Sequence, residues 1–314
     1  MRLKHILEKF KFEVVDLPLT IYPYAPVYKV TQEDKTFIVK KTINDIEQAR
    51  NLAKFLQMLK FKEVNIVAPV NILAENPAQI EDDIWVVYPF IEGTKYTAKK
   101  NEILNAGRLL GKIHSLSSNT NQEQLEIYDE FDFQLSDLLD DLNTIQDSIE
   151  HTDFEKLKIQ VAKILAQQQK IKIAHLPTVA TPYDYKADNL VYLDESNPYL
   201  IDPDNAIFLP RIFDLALALL LFHNVLETAP HRMFTVDEWN LFKQGYAEFV
   251  TLTDLEKEYW FIAIEHIFVD EVIWLMADFS EGWKMQHQLG IYSSIFKCIL
   301  TPSLLQQYDL EINT

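Results

Sequence analysis

The sequence predicts an α+β protein of two unequal lobes: a small, mostly antiparallel β lobe with one main helix, followed by a larger, mainly helical lobe. Three observations carry this. Segments rich in β-branched and aromatic residues crowd the first 88 positions around a single helical repeat. From Lys99 onward apolar residues recur at helical spacing, interrupted once by a strand-like island at 179–208. Charge divides at the same place: residues 1–88 carry 12 basic and 12 acidic side chains, so the whole net charge of −18 lies in residues 89–314. The expected organisation is a small β lobe at 1–88, a hinge at 89–93 and a helical lobe at 94–314.

In the first lobe, 11–23, 27–31 and 36–41 read as strands, with Gln32-Glu-Asp-Lys35 as a polar turn between the last two. Asn44 is placed at the N-cap of a helix in which Ile46, Ala49, Leu52, Phe55, Leu56 and Leu59 share a face. Two more strands are expected at 64–73 and 84–91, separated by a polar loop. In the second lobe helices are expected at 103–116, 133–149 and 154–171, then at 213–225, 236–250, 254–277 and about 292–305. Glycine is scarce, with six in 314 residues and none in the first lobe.

At 48% hydrophobic and 24% charged, the composition is that of a globular protein with a sizeable core. The longest apolar stretch, 215–222, is too short to span a bilayer, and the charged N-terminus lacks the apolar run of a signal peptide. A single cysteine, Cys298, excludes an intramolecular disulfide and a Cys-rich zinc site. A cytoplasmic protein is expected, monomer or homodimer, with no membrane partner. Its acidity opposes nucleic-acid binding, which rests on cationic neutralisation of phosphates. Between Ile113 and Glu155 stand 12 acidic residues and no Lys or Arg. That run reads either as a solvated face or as a field that attracts a cationic substrate.

The densest chemistry lies in Thr181-Pro-Tyr-Asp-Tyr-Lys-Ala-Asp-Asn-Leu-Val-Tyr-Leu193, followed by Ile201-Asp-Pro-Asp204. Asp184 and Asn189 stand five apart, and Asp202 follows on the next strand. Phosphoryl transfer uses one carboxylate to orient the attacking hydroxyl, and an Asn and an Asp to hold Mg2+ on the nucleotide phosphates. The bland alternative is a surface hairpin with polar turns. Upstream, Phe37-Ile-Val-Lys40 puts Lys40 and Val39 on opposite faces of a strand, so Lys40 can enter a cleft and neutralise phosphate oxygens. Glu47, in the first turn of the next helix, is the candidate partner for Lys40. Lys41 is the competing cation, and both lysines could be ordinary edge-strand residues. Tyr22-Pro-Tyr-Ala-Pro26 stands where a phosphate-covering loop belongs, yet it has no glycine and two prolines without N–H donors. In Trp85-Val-Val-Tyr-Pro-Phe-Ile-Glu-Gly93, the Pro89 carbonyl and the Ile91 N–H could read adenine; a buried strand and turn would use the same residues.

With these features in order, the sequence resembles the aminoglycoside phosphotransferase and choline kinase superfamily, a branch of the protein-kinase-like fold. The resemblance runs from about Tyr22 to Leu221. It is carried by the Lys40 strand, Val67-Ala-Pro-Val70, Pro89-Phe-Ile-Glu-Gly93, Leu109-Leu-Gly-Lys-Ile-His114, the 184–189 loop, the Asp202 strand and Asp214-Leu-Ala216. It implies an ATP- (or GTP-) and Mg2+-dependent phosphotransferase. Asp184 would act as catalytic base, Asn189 and Asp202 as metal ligands, and Lys40 as the α/β-phosphate contact, with Pro89 and Ile91 on adenine. Asp214 would brace the catalytic loop, and His114 would be a satisfied core histidine. The chain departs from the family pattern at Pro182-Tyr183, where His-Gly is usual, and at Pro203, where an aromatic is usual.

The resemblance also places the acceptor pocket in the helical lobe. There Asp270, Glu271 and Asp278, interleaved with Trp274 and Trp283, suit a small cationic hydroxyl acceptor such as an aminoglycoside-like antibiotic or an amino alcohol. Alternatively Trp260, Trp274 and Trp283 are core residues of amphipathic helices. A second functional reading is a kinase-fold nucleotide-binding or structural protein, spore-coat-like, with little turnover. Between Asp202 and Asp214 there is no room for a protein-kinase activation loop.

Overall fold

The computed structural model describes residues 2–13, 16–22, 25–117, 119–129, 131 and 135–312. The first lobe holds α1 (Arg2–Lys9), β1 (Val27–Gln32), β2 (Lys35–Thr42), α2 (Ile46–Phe61), β3 (Ala78–Ile80) and β4 (Asp83–Pro89). The four strands form an antiparallel sheet in the order β1-β2-β4-β3. The β1–β2 turn is closed by Glu33 and Asp34 at φ 51° and 61°, the left-handed pair that matches strand twist in a two-residue hairpin. α1 was not anticipated. Its Ile6 and Leu7, with Phe10 and Phe12, cover Val30, Val39, Trp85 and Val87 in a small core of their own.

Three expectations for this lobe need correction. Among the described residues 11–23 makes no regular strand; Thr20 bridges Tyr28 alone, and Pro23 and Tyr24 of the phosphate-loop candidate lie outside the described residues. The 64–73 segment is extended but forms no strand of the sheet: its start joins the second lobe, and further on Val70 N–H bonds to the Val87 carbonyl of β4 at 3.0 Å. Val67 N–H bonds to the Leu200 carbonyl at 3.0 Å and Leu200 N–H to the Asn65 carbonyl at 2.9 Å. Pro69 interrupts it, since it has no N–H to give a ladder. The cap of α2 is Asp45, whose carboxylate accepts from the Glu47 and Gln48 N–H groups in a capping box, while Asn44 turns elsewhere.

The second lobe comprises β5 (Thr94–Lys95), α3 (Lys100–Leu116), β6 (Glu126–Ile127), α4 (Leu135–Ile145), α5 (His151–Leu165), α6 (Gln168–Lys172), β7 (Thr178–Thr181), β8 (Leu190–Tyr192), β9 (Pro198–Leu200) and β10 (Ile207–Pro210). It continues through α7 (Arg211–Leu221), α8 (Val236–Tyr246), α9 (Asp254–Ile267), α10 (Ile273–Asp278), α11 (Gln286–Ile299) and α12 (Pro302–Leu305). Two small sheets, β5-β8-β9 and β6-β10-β7, frame the strand-like island seen in the sequence. α7 is buried on every side, and the loop between β7 and β8 hangs from it. The expected 254–277 helix is interrupted by a π-helical turn, Phe268–Val272.

The scarce glycines serve close packing, since no described glycine has positive φ. A Cβ on Gly107 of α3 would fall 2.0 Å from the Phe242 carbonyl oxygen, and one on Gly245 of α8 would fall 2.0 Å from the Leu104 carbonyl oxygen. Backbone therefore touches backbone where α3 crosses α8. The main core is continuous from Leu52, Phe55 and Leu56 of α2 through α3 and α7 to α9 and α11. It fixes the two lobes against each other around the 184–204 segment.

Candidate active site

β7 ends at Thr181, and the chain turns through Tyr183 and Asp184 at φ 53° and 46° into a single 3-10 turn, Ala187–Asn189, before β8 begins. Left-handed backbone costs a residue with a side chain about 1–2 kcal/mol, so two in succession require anchors. Thr181 Oγ1 donates to Asp214 Oδ2 at 2.7 Å, and His114 Nε2 stands 2.9 Å from the same oxygen. The other nitrogen of His114 meets the Tyr246 hydroxyl at 2.8 Å. Tyr185 donates to the Ala106 carbonyl and Ala187 N–H to the Phe222 carbonyl, both at 2.8 Å. On the opposite side the Tyr183 hydroxyl donates to Glu271 Oε1 at 2.7 Å. Hydrogen bonds to charged acceptors contribute about 1.5–3 kcal/mol each, enough to offset the backbone cost. His114 and Asp214 are fully buried scaffold.

Inside this loop three functional groups meet. Lys186 Nζ lies 2.7 Å from Asp184 Oδ2, and Asn189 Nδ2 donates to the Asp184 carbonyl at 2.9 Å and to its Oδ2 at 3.3 Å. Burial raises the Asp184 pKa above the usual carboxylate range, against the pull of Lys186 and Asn189. Lys186 is raised as well: burial works against its charge and is outweighed by Asp184, with Asp202 and Asp188 adding to the effect. The Asn189 carbonyl accepts from Ile201 N–H at 2.9 Å, which brings Asp202 beside the loop.

Lys40 enters the same cleft from β2, where it pairs across the sheet with Val86. Its Nζ stands 2.8 Å from Asp202 Oδ1 and 3.0 Å from Asp204 Oδ2. Burial would lower its pKa, but Asp204 and Asp202 reverse the sign and hold it protonated. Asp204 is gripped further by the Tyr88 hydroxyl at 3.0 Å and, at its carbonyl, by Asn44 Nδ2 at 3.1 Å. Burial raises the Asp204 pKa despite Lys40. The Asp202 side chain is 49% exposed and that of Asp204 only 11%. Lys41 points the other way, to Asp83 at 2.6 Å.

The structure thus brings together Asp184, Asn189, Asp202 and Lys40. It does not bring Glu47 to Lys40. Glu47 is exposed in the first turn of α2, off the face that the helix buries, and the carboxylates within 4 Å of Lys40 are Asp202 and Asp204. Two participants carried no role in the sequence reading. Asp204 lies two positions after Asp202, a spacing that returns to the same side of an extended chain. Lys186 stands between Asp184 and Asn189 in the sequence, but no spacing argument singles it out. At the lobe junction, Pro89 closes β4 opposite Phe37, and Phe90 N–H bonds to the Thr36 carbonyl at 3.0 Å. Among the described residues the Ile91 N–H takes no hydrogen-bond partner.

The π-helical turn carries Asp270 and Glu271. An inserted residue rotates side chains out of helical register, and such turns recur at functional sites. Tyr128 donates to Asp270, and His266 Nε2 stands 2.5 Å from the same hydroxyl. Burial pushes His266 down to about 3, so the ring is neutral. Asp278 lies apart, exposed at the end of α10, where with burial, Asp137 and Asp140 it raises the pKa of Asp141. Trp260 is core, and Trp283 packs on Tyr292 and Phe296; only Trp274, at 51% exposure, faces solvent.

Among the described residues no three His, Cys, Asp or Glu side chains gather as a metal cage. Asp202, Asp204 and the Asn189 amide are nevertheless hard oxygen donors around one cleft. Mg2+ is commonly held by one or two carboxylates and completed by phosphate oxygens and water, so this donor set fits Mg2+ bound with a nucleotide. Among the described residues no helix is long and apolar enough to cross a membrane.

The sequence model of the phosphotransferase enzyme family matches residues 24–249. No curated protein matches the chain. Solved structures do. A spectinomycin phosphotransferase in complex with ADP and spectinomycin superposes with a TM-score of 0.63 at 15% identity, covering 92% of each chain. A microcompartment-associated aminopropanol kinase gives 0.67 at 12% identity, covering 95% of this chain and 94% of the other. The choline kinase LicA from Streptococcus pneumoniae gives 0.59 at 16% identity, covering 94% and 98%. At these identities the likeness shows the fold, which is protein-kinase-like, as the sequence predicts.

Proposed function

The chain belongs to the phosphotransferase enzyme family, and from that premise we propose that it transfers the γ-phosphoryl group of ATP, bound with Mg2+, to a hydroxyl of a small cationic molecule. The observation that supports this best is the convergence of Asp184, Lys186 and Asn189 in one anchored loop with Asp202 and Lys40 alongside. Asp184 orients the acceptor hydroxyl and takes its proton. Its raised pKa suits that task, because a carboxylate whose pKa is lifted towards the working pH is a stronger base towards the hydroxyl proton. Lys186, 2.7 Å away, balances charge gathered around Asp184 during transfer. Lys40 exchanges Asp202 for α/β-phosphate oxygens while Asp204 stays in place as its buried partner. Bound Mg2+ would neutralise the remaining phosphate charge, held by Asp202 and by the Asn189 amide oxygen, whose nitrogen is already committed to Asp184. The Pro89 carbonyl and the unpartnered Ile91 N–H receive adenine across a hinge at 89–93.

The acceptor is assigned to the helical lobe, where Asp270 and Glu271 project next to Tyr183 and where the chain's acidic excess lies. Carboxylates there favour an acceptor that carries an ammonium group. The similar structures are named for spectinomycin, aminopropanol and choline, which are all cationic alcohols. Asp278, exposed at the end of α10 near Asp141, takes no part in this reading.

ADP release in the presence of Mg2+ tests this reading across aminoglycosides, amino alcohols and neutral sugars. A cationic acceptor should stimulate release, and Asp184→Asn should lower kcat by about 10²–10⁴-fold while ATP still binds. Wild-type protein that stays at the Asp184→Asn background with every acceptor would refute it.

A further inference from the structure

Tyr183 has no part in the transfer step described above, yet it touches both halves of the site. It precedes Asp184 directly, at φ 53°, and is 9% exposed. Its hydroxyl donates to Glu271 Oε1 at 2.7 Å, and burial, followed by Glu271, raises its pKa well above the ordinary phenol value, so it remains a donor. Glu271 sits beside Asp270 on the π-helical turn. One side chain therefore ties the loop that carries Asp184 to the turn that carries the proposed acceptor carboxylates. The other anchors of the loop run elsewhere: Thr181 to Asp214, Tyr185 to Ala106 and Ala187 to Phe222. Glycine at position 183 would adopt positive φ without cost and would need no tether. A tyrosine there is strained unless its side chain is held, so the aim of Asp184 in this chain depends on the bond to Glu271.

We propose that Tyr183 is a positioning residue that couples the acceptor-binding turn to the catalytic loop through its hydrogen bond to Glu271. This rests on the phosphotransferase reading. Two substitutions separate the bond from the charge. Tyr183→Phe keeps the ring and the Glu271 carboxylate but removes the tether. Glu271→Gln keeps an oxygen that accepts from Tyr183 but removes the negative charge facing the acceptor.

The experiment is steady-state kinetics of wild type, Tyr183→Phe and Glu271→Gln with ATP, Mg2+ and the best acceptor, alongside thermal midpoints. Tyr183→Phe should lose about tenfold in kcat, the loss of one hydrogen bond to a charged group, with KM for ATP within about twofold. Glu271→Gln should keep most of kcat and raise KM for the acceptor. Wild-type kcat in Tyr183→Phe would overturn the proposal, as would both variants shifting kcat and both KM values together. If Tyr183→Phe does not fold, Glu271→Ala replaces it: lower kcat than Glu271→Gln supports the coupling, and equal kcat overturns it. Wild type without acceptor-stimulated turnover removes the phosphotransferase reading and this inference with it. Turnover in wild type matched by Tyr183→Phe removes the inference alone.

Discussion

Asp202 and Asp204 hold the same lysine but differ in exposure, and that difference separates their roles. Asp204 is buried, bonded by Tyr88 and Lys40, and so serves as the fixed partner of the cation. Asp202, half exposed, can exchange Lys40 for another ligand at little desolvation cost. The buried histidines give a second residue-scale consequence. His223 faces the Tyr96 hydroxyl at 3.0 Å with Nε2 and the Arg232 carbonyl at 2.8 Å with Nδ1, an arrangement complete for the neutral ring. Burial pushes its pKa down to about 4 from the ordinary 6.5. The unfolded chain then binds the proton first, so the stability present above pH 6.5 is lost as pH falls towards 4. At about 1.4 kcal/mol per unit, the loss is on the order of 3 kcal/mol. Urea denaturation of wild type and His223→Gln should show a stability gap that narrows from pH 7.5 to 5. A gap independent of pH would contradict the buried neutral histidine.

At the scale of elements, the α3–α8 crossing is the least forgiving contact. Alanine at Gly107 would raise helix propensity by about 1 kcal/mol. It would also drive a methyl to within 2.0 Å of the Phe242 carbonyl oxygen, which cannot give way without moving α8. Gly107→Ala is expected to destabilise by about 3 kcal/mol, at the upper end for overpacking, and to lower the urea midpoint accordingly. An unchanged midpoint would mean the helices can part.

Most elements could be read from the sequence because their apolar repeat is the face they bury. β1, β2, β4, α2, α3 and α8 lie within a few residues of expectation. The misses have physical causes. α1 repeats Leu3, Ile6, Leu7 and Phe10 over only two turns, too short a period to stand out. The 64–73 segment is apolar like a strand, but it pairs with Leu200 across the lobes, which local composition cannot reveal. The π-helical turn leaves the apolar pattern of 254–277 intact while redirecting Asp270 and Glu271. In the site, spacing announced Asp184, Asn189 and Asp202. Lys40 meets Asp202 and Asp204 rather than Glu47, because Glu47 lies off the face that α2 buries and the pairing is made between lobes, which position in the helix does not reveal.

For the molecule as a whole, the division of charge gains a structural meaning. The neutral first lobe delivers Lys40 to the cleft, and the lobe with all of the −18 carries the π-helical turn and the acidic α4. A continuous core runs beneath both, so the 184–204 segment is held from α2, α3 and α7 at once. That arrangement fits an enzyme that takes an anionic nucleotide on one side and a cationic acceptor on the other. In the proposed reaction Asp184 directs phosphoryl transfer to the acceptor hydroxyl. Phosphorus NMR of a reaction containing ATP, Mg2+ and the stimulating acceptor reads it most directly. Wild type should produce ADP and one new phosphate monoester in equal amounts, with Asp184→Asn producing neither above background. ADP accompanied only by inorganic phosphate, or a monoester formed equally by Asp184→Asn, would rule out acceptor phosphorylation through Asp184.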